Sequence, residues 1–220
     1  MDFVGIRSIE DLLKHSSEED YRGHHKAPDK ESNSPLYDVT LNGTYPEDIY
    51  SSNGARYYGD RLPTDNLSVS IIQQARGKPN YRVKIYRAVP DINQEVNKKI
   101  KEIQKIISYY NKFNFFPAGN EFVDEVYHKY SNDLYTKYNW DEMKELMVED
   151  MINQIEELSN SKQEDLIINV GDWVTISREY AKMHGESNLN GFYKILTKTV
   201  SAKDIFTDGN STNEWGYFPQ

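Results

Sequence analysis

The sequence predicts an α+β fold: a mixed β core with a helical insertion between the first core strand and the later strands. Three observations carry this reading. Residues 81–89 alternate apolar and polar side chains and are rich enough in β-branched residues to form a strand. Ile92, Val96, Ile100, Ile103, Ile107 and Tyr110 then recur at steps of four and three, which is the period of a helix face. Short apolar runs separated by turn formers return after residue 165.

In chain order, the first element is a short helix within residues 1–20, with Ser8 as its cap, Asp11 three residues later and Leu12-Leu13 following. Residues 21–66 hold Pro28, Pro35, Asn42-Gly43, Pro46, Asn53-Gly54 and Pro63. They predict a long irregular region of the kind that often carries function. A helix is expected over 66–76, capped by Asn66 or Ser68 and ended by Gly77. In the insertion, the stripe from Ile92 is followed by Phe122, Val126, Tyr130 and Leu134, and then by Met143, Met147, Met151, Ile155 and Leu158. Two or three helices follow from this, broken near residues 116–119 and 138–139. Beyond it, residues 166–168 and 173–177 read as strands and 179–184 as a helix ending at Gly185. Residues 192–196, 204–206 and 215–218 read as further strands, with a turn at 208–211. The division is therefore 1–90, 91–165 and 166–220.

Composition narrows the classes of function. The net charge of −9 argues against general binding to nucleic acid or anionic membranes. Most of that charge lies in residues 91–165, with nine Lys or Arg against sixteen Asp or Glu, a net of −7 that leaves −2 for the remainder. The absence of cysteine removes disulfides, thiol nucleophiles and Cys-based zinc sites. No apolar run reaches the roughly 20 residues of a membrane helix. The N-terminus lacks the pattern of a signal peptide, so a cytoplasmic protein is expected.

Three polar sites stand in or beside the strand-like runs. They are Arg87 in Val83-Lys84-Ile85-Tyr86-Arg87, Thr175 and Ser177 in Trp173-Val174-Thr175-Ile176-Ser177, and Glu214 in Asn213-Glu214-Trp215. An arginine fork holds phosphate through paired, charge-assisted bonds. Hydroxyls at alternate strand positions share one face, so Thr175 and Ser177 can line one wall and brace the glutamate. A glutamate can stabilise a developing cation and orient or deprotonate a nucleophile.

In that order and with these flanks, the chain resembles ADP-ribosyltransferase-fold domains of the arginine–serine–glutamate class, phage-borne members among them. The resemblance covers roughly residues 21–90 and 166–220, including the runs at 34–50, 54–58, 79–90 and 170–216. It does not cover the helical insertion. It implies a mono-ADP-ribosyltransferase that uses NAD as substrate and no metal, with Glu214 as the catalytic acid and Arg87, Thr175 and Ser177 at the NAD site. Thr175-Ile176-Ser177 is a degenerate match to the family's Ser-Thr-Ser strand. Thr212-Asn213-Glu214 keeps only the second acid of the family's Glu/Gln-x-Glu pair, which makes arginine a poor candidate acceptor. Tyr57 and Tyr180 are aromatics of a kind that stacks nicotinamide or adenine, although any single one alone reads as core packing. The resemblance also implies an effector acting in the host cytoplasm, with a protein acceptor, or a nucleic acid as the other possibility. The acidic helices of 91–165 would be its docking surface.

Two other functions compete with this one: an NAD glycohydrolase, and a non-enzymatic binding module that blocks a basic partner with its acidic helices. Residues 208–214 alternate oxygens as a calcium loop does. They lack the glycine at the sixth position, and Pro219 stands where the bidentate acid belongs. His24-His25 lacks matched ligands for a metal. No glycine-rich loop of the Rossmann or Walker type is present.

Overall fold

The computed structural model describes residues 26–134, 139–160 and 166–220. The chain is mixed α+β, and by its contacts it divides into two compact units. One comprises the described residues of Ile92–Glu164, and the other those of Ser17–Asp91 and Asp165–Gln220. The helix expected within residues 1–20 and the residues at 21–25 lie outside the described residues.

The second unit opens with a two-residue strand, β1 (Ser34–Pro35), and two 3₁₀ turns, Leu41–Gly43 and Glu47–Tyr50. Helices α1 (Gly54–Tyr58) and α2 (Asp65–Ala75) follow. The long irregular region is thus built of short tight turns, as its Pro and Asn-Gly content requires. Helix α2 begins one residue earlier than expected, and neither Asn66 nor Ser68 caps it. Ser68 is fully buried and bonds elsewhere, and the preceding Thr64 makes no side-chain cap. Val69, Ile72 and Ala75 form its buried face.

Strand β2 (Arg82–Pro90) alternates cleanly, with Val83, Ile85, Arg87 and Val89 on its buried face. It pairs antiparallel with β4 (Tyr193–Ser201) along its whole length. A second antiparallel sheet has the order β1-β5-β6-β3, where β3 is Trp173–Val174, β5 is Ile205–Thr207 and β6 is Trp215–Tyr217. One bridge links the two sheets. The Tyr86 N–H donates to the Thr175 carbonyl at 2.8 Å, and the Thr175 N–H donates back at 2.9 Å. Leu36, Ile49, Ile72, Ile85, Ile176, Ile205 and Trp215 are fully or almost fully buried beneath this arrangement.

Three strand readings from the sequence differ from the structure by more than a residue at one end. Residues 166–168 form no strand, because Ile167 is exposed and the Ile168 carbonyl accepts from the Lys198 ammonium at 3.2 Å. Strand β3 stops at the Thr175 bridge, since Ser177 is already the cap of α6 (Arg178–Asn188). Strand β4 runs on to Ser201 instead of ending at 196, because β2 offers it nine residues of partner. Gly185 does not end α6. A Cβ there would lie 2.4 Å from the Tyr193 ring, so this glycine lets β4 approach the helix, which continues to Asn188.

Gly216 is a second close approach. A Cβ on it would stand 1.9 Å from the Pro28 carbonyl oxygen, in a strand flanked on both sides by β3 and β5. Backbone cannot swing aside as a flexible side chain can. Gly216→Ala is therefore expected to cost about 1–3 kcal/mol as an overpacking change. A lowered denaturation midpoint would show this, and an unchanged midpoint would contradict the packing.

The described residues of the first unit form three helices: α3 (Ile92–Phe113), α4 (Glu121–Leu134) and α5 (Trp140–Asn160). Its buried residues include Ile92, Val96, Ile103, Ile106, Phe122, Val126, Met143, Met147, Met151 and Leu158. These are largely the periodic positions of the sequence. Ile106 is buried where the stripe pointed to Ile107, which is only partly covered. Asn139 caps α5. Its Oδ1 accepts the N–H groups of Asp141 and Glu142, each at 3.0 Å, and Glu142 Oε2 takes the Asn139 N–H at 2.9 Å. None of the described helices is long and apolar enough to cross a membrane.

Candidate active site

The site is built on three strands brought side by side. Tyr86 on β2 is bridged to Thr175, and β3 pairs with β6 in the register Val174 to Trp215. One step further along that register, Glu214 falls opposite Thr175. The strand that bears Arg87, the end of the strand that bears Thr175, and the approach to the strand that follows Glu214 are thus neighbours.

Glu214 is partly buried, and its Oε1 accepts the Tyr180 hydroxyl at 2.6 Å. Among the described residues no other hydrogen-bond donor reaches the carboxylate. Burial pushes the Tyr180 hydroxyl well above the usual tyrosine range. The Glu214 charge adds to this, as do Asp60 and Asp65. Tyr180 therefore remains a donor throughout the neutral range, and its bond to Glu214 is charge-assisted.

Among the described residues, neither Thr175 nor Ser177 hydrogen-bonds Glu214. Both are buried, and their hydroxyls act in series. Thr175 Oγ1 accepts the Ser177 N–H at 3.1 Å, and Ser177 Oγ accepts the Tyr180 N–H at 3.2 Å as the N-cap of α6. This corrects the expectation that they brace the glutamate directly. They fix the start of α6, and α6 delivers the Tyr180 hydroxyl that does the bracing.

The loop before Glu214 is held by its own network. Asn213 is fully buried; its Nδ2 donates to Asp65 Oδ1 at 2.8 Å and to Asp60 Oδ2 at 3.4 Å, and its Oδ1 accepts from Ser68 Oγ at 2.7 Å. Ser211 Oγ donates to Asp60 and accepts the Asn213 N–H at 3.1 Å. Trp215 Nε1 donates to the Thr212 carbonyl at 3.1 Å. Thr212, the residue in place of an acid, is fully buried, and its hydroxyl has no hydrogen-bond partner among the described residues. The pattern of the sequence assigned Asp60, Asp65 and Ser68 no part in the site, because that part depends on a loop about 145–150 residues away.

Arg87 is 8% exposed and ion-paired, Nη1 to Asp172 Oδ1 at 2.7 Å, with the Trp173 carbonyl accepting at 3.5 Å. Asp172 also accepts the Asn169 N–H at 2.8 Å. The arginine is thus a buried structural partner, which its expected role as an open phosphate clamp did not include. His184 on α6 is an addition to the set. Burial of the ring lowers its pKa below the ordinary value even though its edge is exposed; Glu214 opposes that shift and Arg87 reinforces it. Both charges therefore act on the imidazole. Asn188 Nδ2 lies 2.9 Å from its Nδ1.

Tyr57 is not brought to this set. It is 59% exposed on α1, its ring meets the edge of Tyr58, and no described contact joins it to Arg87 or Glu214. Among the described residues no group of three or more His, Asp or Glu is placed to hold a metal ion. No protein-family model, curated protein or solved structure matches the chain.

Proposed function

We propose that the chain is a mono-ADP-ribosyltransferase that moves ADP-ribose from NAD to a macromolecular acceptor. The observation that carries this reading is a carboxylate, Glu214, oriented by a charge-assisted bond from Tyr180 and set beside the strands that bear Thr175 and Arg87. In the reaction the bond between ribose C1′ and the nicotinamide nitrogen breaks. The bonding pair stays with the nicotinamide, which leaves neutral, and C1′ becomes an oxocarbenium-like cation. The acceptor's lone pair then closes on C1′ and its proton is released. Such a reaction needs little acid–base chemistry and a fixed negative charge beside the cation. Glu214 supplies that charge. Oε1 is held by Tyr180, which leaves Oε2 for a ribose hydroxyl. Arg87 contributes positive field for the pyrophosphate. Threonine at 212 carries no carboxylate, so an acceptor guanidinium meets no second acid at that position, in keeping with an acceptor other than arginine.

The test is nicotinamide release from NAD by the purified chain, followed by incubation of NAD labelled in its adenylate half with a cell lysate. Label on macromolecules supports transfer. Release with all label as free ADP-ribose makes the protein a glycohydrolase, and no release at all refutes both.

Tyr180 acts through Glu214, so it is a positioning residue. Tyr180→Phe is expected to lower kcat about tenfold, which corresponds to about 1.4 kcal/mol of lost orientation. KM for NAD should change little. An equal loss in both Tyr180→Phe and Tyr57→Phe would remove Tyr180 from this role.

A further inference from the structure

A groove of about 400 Å³ opens beside β2 in the same unit. Its apolar part comes from Leu67 and Ile71 of α2. Its polar part comes from Arg82, Lys84 and Tyr86 of β2 and from Arg178 in the first turn of α6. Arg82, Lys84 and Tyr86 occupy alternate positions, so they line one face of the strand at intervals of about 6.8 Å. That interval is comparable with the spacing of successive phosphates in an extended single strand. Arg82 is steadied from β4, donating through Nη1 to Ser201 Oγ at 3.3 Å and through Nη2 to the Thr199 carbonyl at 3.0 Å. Lys84 and Arg178 make no hydrogen bond or ion pair with any described side chain. The one carboxylate on the groove, Glu179, is 3.4 Å from Lys182.

Three cations around one groove are notable in a chain of net charge −9. Most of the excess acid belongs to the helical sequence, and the groove itself is lined by three cations against one carboxylate, which gives it a locally positive lining. Aromatic faces beside such a field are the elements of a single-strand platform, in which backbone charge is neutralised and a base stacks.

We propose that this groove binds a short segment of single-stranded nucleic acid, with its phosphates on Arg82, Lys84 and Arg178 and a base against Tyr86. The volume suits one flat ring at a time, which a duplex does not offer. The row also has a direction. It ends at Tyr86, whose backbone is bridged to Thr175, the residue opposite Glu214 in register. A strand lying along it leads to the carboxylate, which makes nucleic acid the acceptor. That last step rests on the transferase reading, whereas the binding does not.

The test is fluorescence anisotropy of a labelled single-stranded oligonucleotide of about ten residues, without NAD, at about 50 mM salt and above. Binding is expected, with a slope of log K against log salt of about −2, from three phosphates at about −0.7 each. Lys84→Glu and Arg178→Glu should each weaken it about tenfold. Lys101→Glu, an exposed change of equal charge in the helical unit, should not. Crosslinking of an iodouridine-containing oligonucleotide to the unmodified chain should map to Tyr86, which keeps the proposal testable if a variant folds poorly. Absence of binding at low salt, equal losses from Lys101→Glu, or full competition by adenosine monophosphate would overturn it. Strand binding without nicotinamide release would keep the groove and sink the transferase reading. Release without strand binding would do the reverse.

Discussion

Glu214→Gln is expected to lower nicotinamide release from NAD by about 10²–10³-fold, the loss typical of removing one preorganised electrostatic group from a transition state. Glutamine is close in shape and can still accept the Tyr180 hydroxyl through its carbonyl oxygen, so the local fold should persist. What is lost is the negative charge beside the ribose cation. That charge matters in the transition state and little in the ground state, so kcat should fall and KM for NAD should move little. Glu179→Gln is the control. Glu179 is exposed on α6 two positions after Ser177 and pairs with Lys182 rather than with Tyr180. Equal turnover by the wild type and Glu214→Gln would remove Glu214 from the chemistry. The loop that presents it would then be a structural feature built on Asn213.

Much of the scaffold was legible in the sequence because it follows local periodicity. The apolar steps through Met143, Met147, Met151 and Leu158 became the buried face of α5. The alternation at 81–89 became β2, with Arg87 on its buried face. Elements set by distant partners were not legible. The length of β4 depends on β2, and the continuation of α6 past Gly185 depends on the Tyr193 ring. The run at 166–168 is apolar enough for a strand but finds no neighbour to pair with. The same division holds at the site. Arg87, Thr175, Ser177, Tyr180 and Glu214 were nameable from residue type and order. Their connections were not: Ser177 reaches Glu214 only through α6 and Tyr180, and Asn213 is fixed by Ser68, Asp60 and Asp65. Those bonds join residues far apart in sequence and carry no local signature.

Asp172→Asn should separate two roles that Arg87 can play. The pair is buried, with side chains 9% and 3% exposed and 2.7 Å between Nη1 and Oδ1. Asp172→Asn takes its ion-pair partner from a guanidinium in a poorly solvated place, at a cost of about 3–5 kcal/mol. Denaturation by urea should show the loss as a lower midpoint with an unchanged slope. Replacing both partners, Arg87→Met with Asp172→Leu, should cost less than the single change, since an apolar pair of similar volume leaves no orphan charge. Activity then reads the second role. In the wild type, Asp172 offsets part of the positive field that Arg87 projects. Asparagine lifts that offset and leaves the guanidinium in place, so KM for NAD should fall if Arg87 attracts the pyrophosphate. The measurement belongs well below the variant's own melting temperature, where the folded fraction is near unity. A destabilised variant with a lowered KM fits both a structural and a binding arginine. A destabilised variant with an unchanged KM confines Arg87 to holding β2 against the entry to β3.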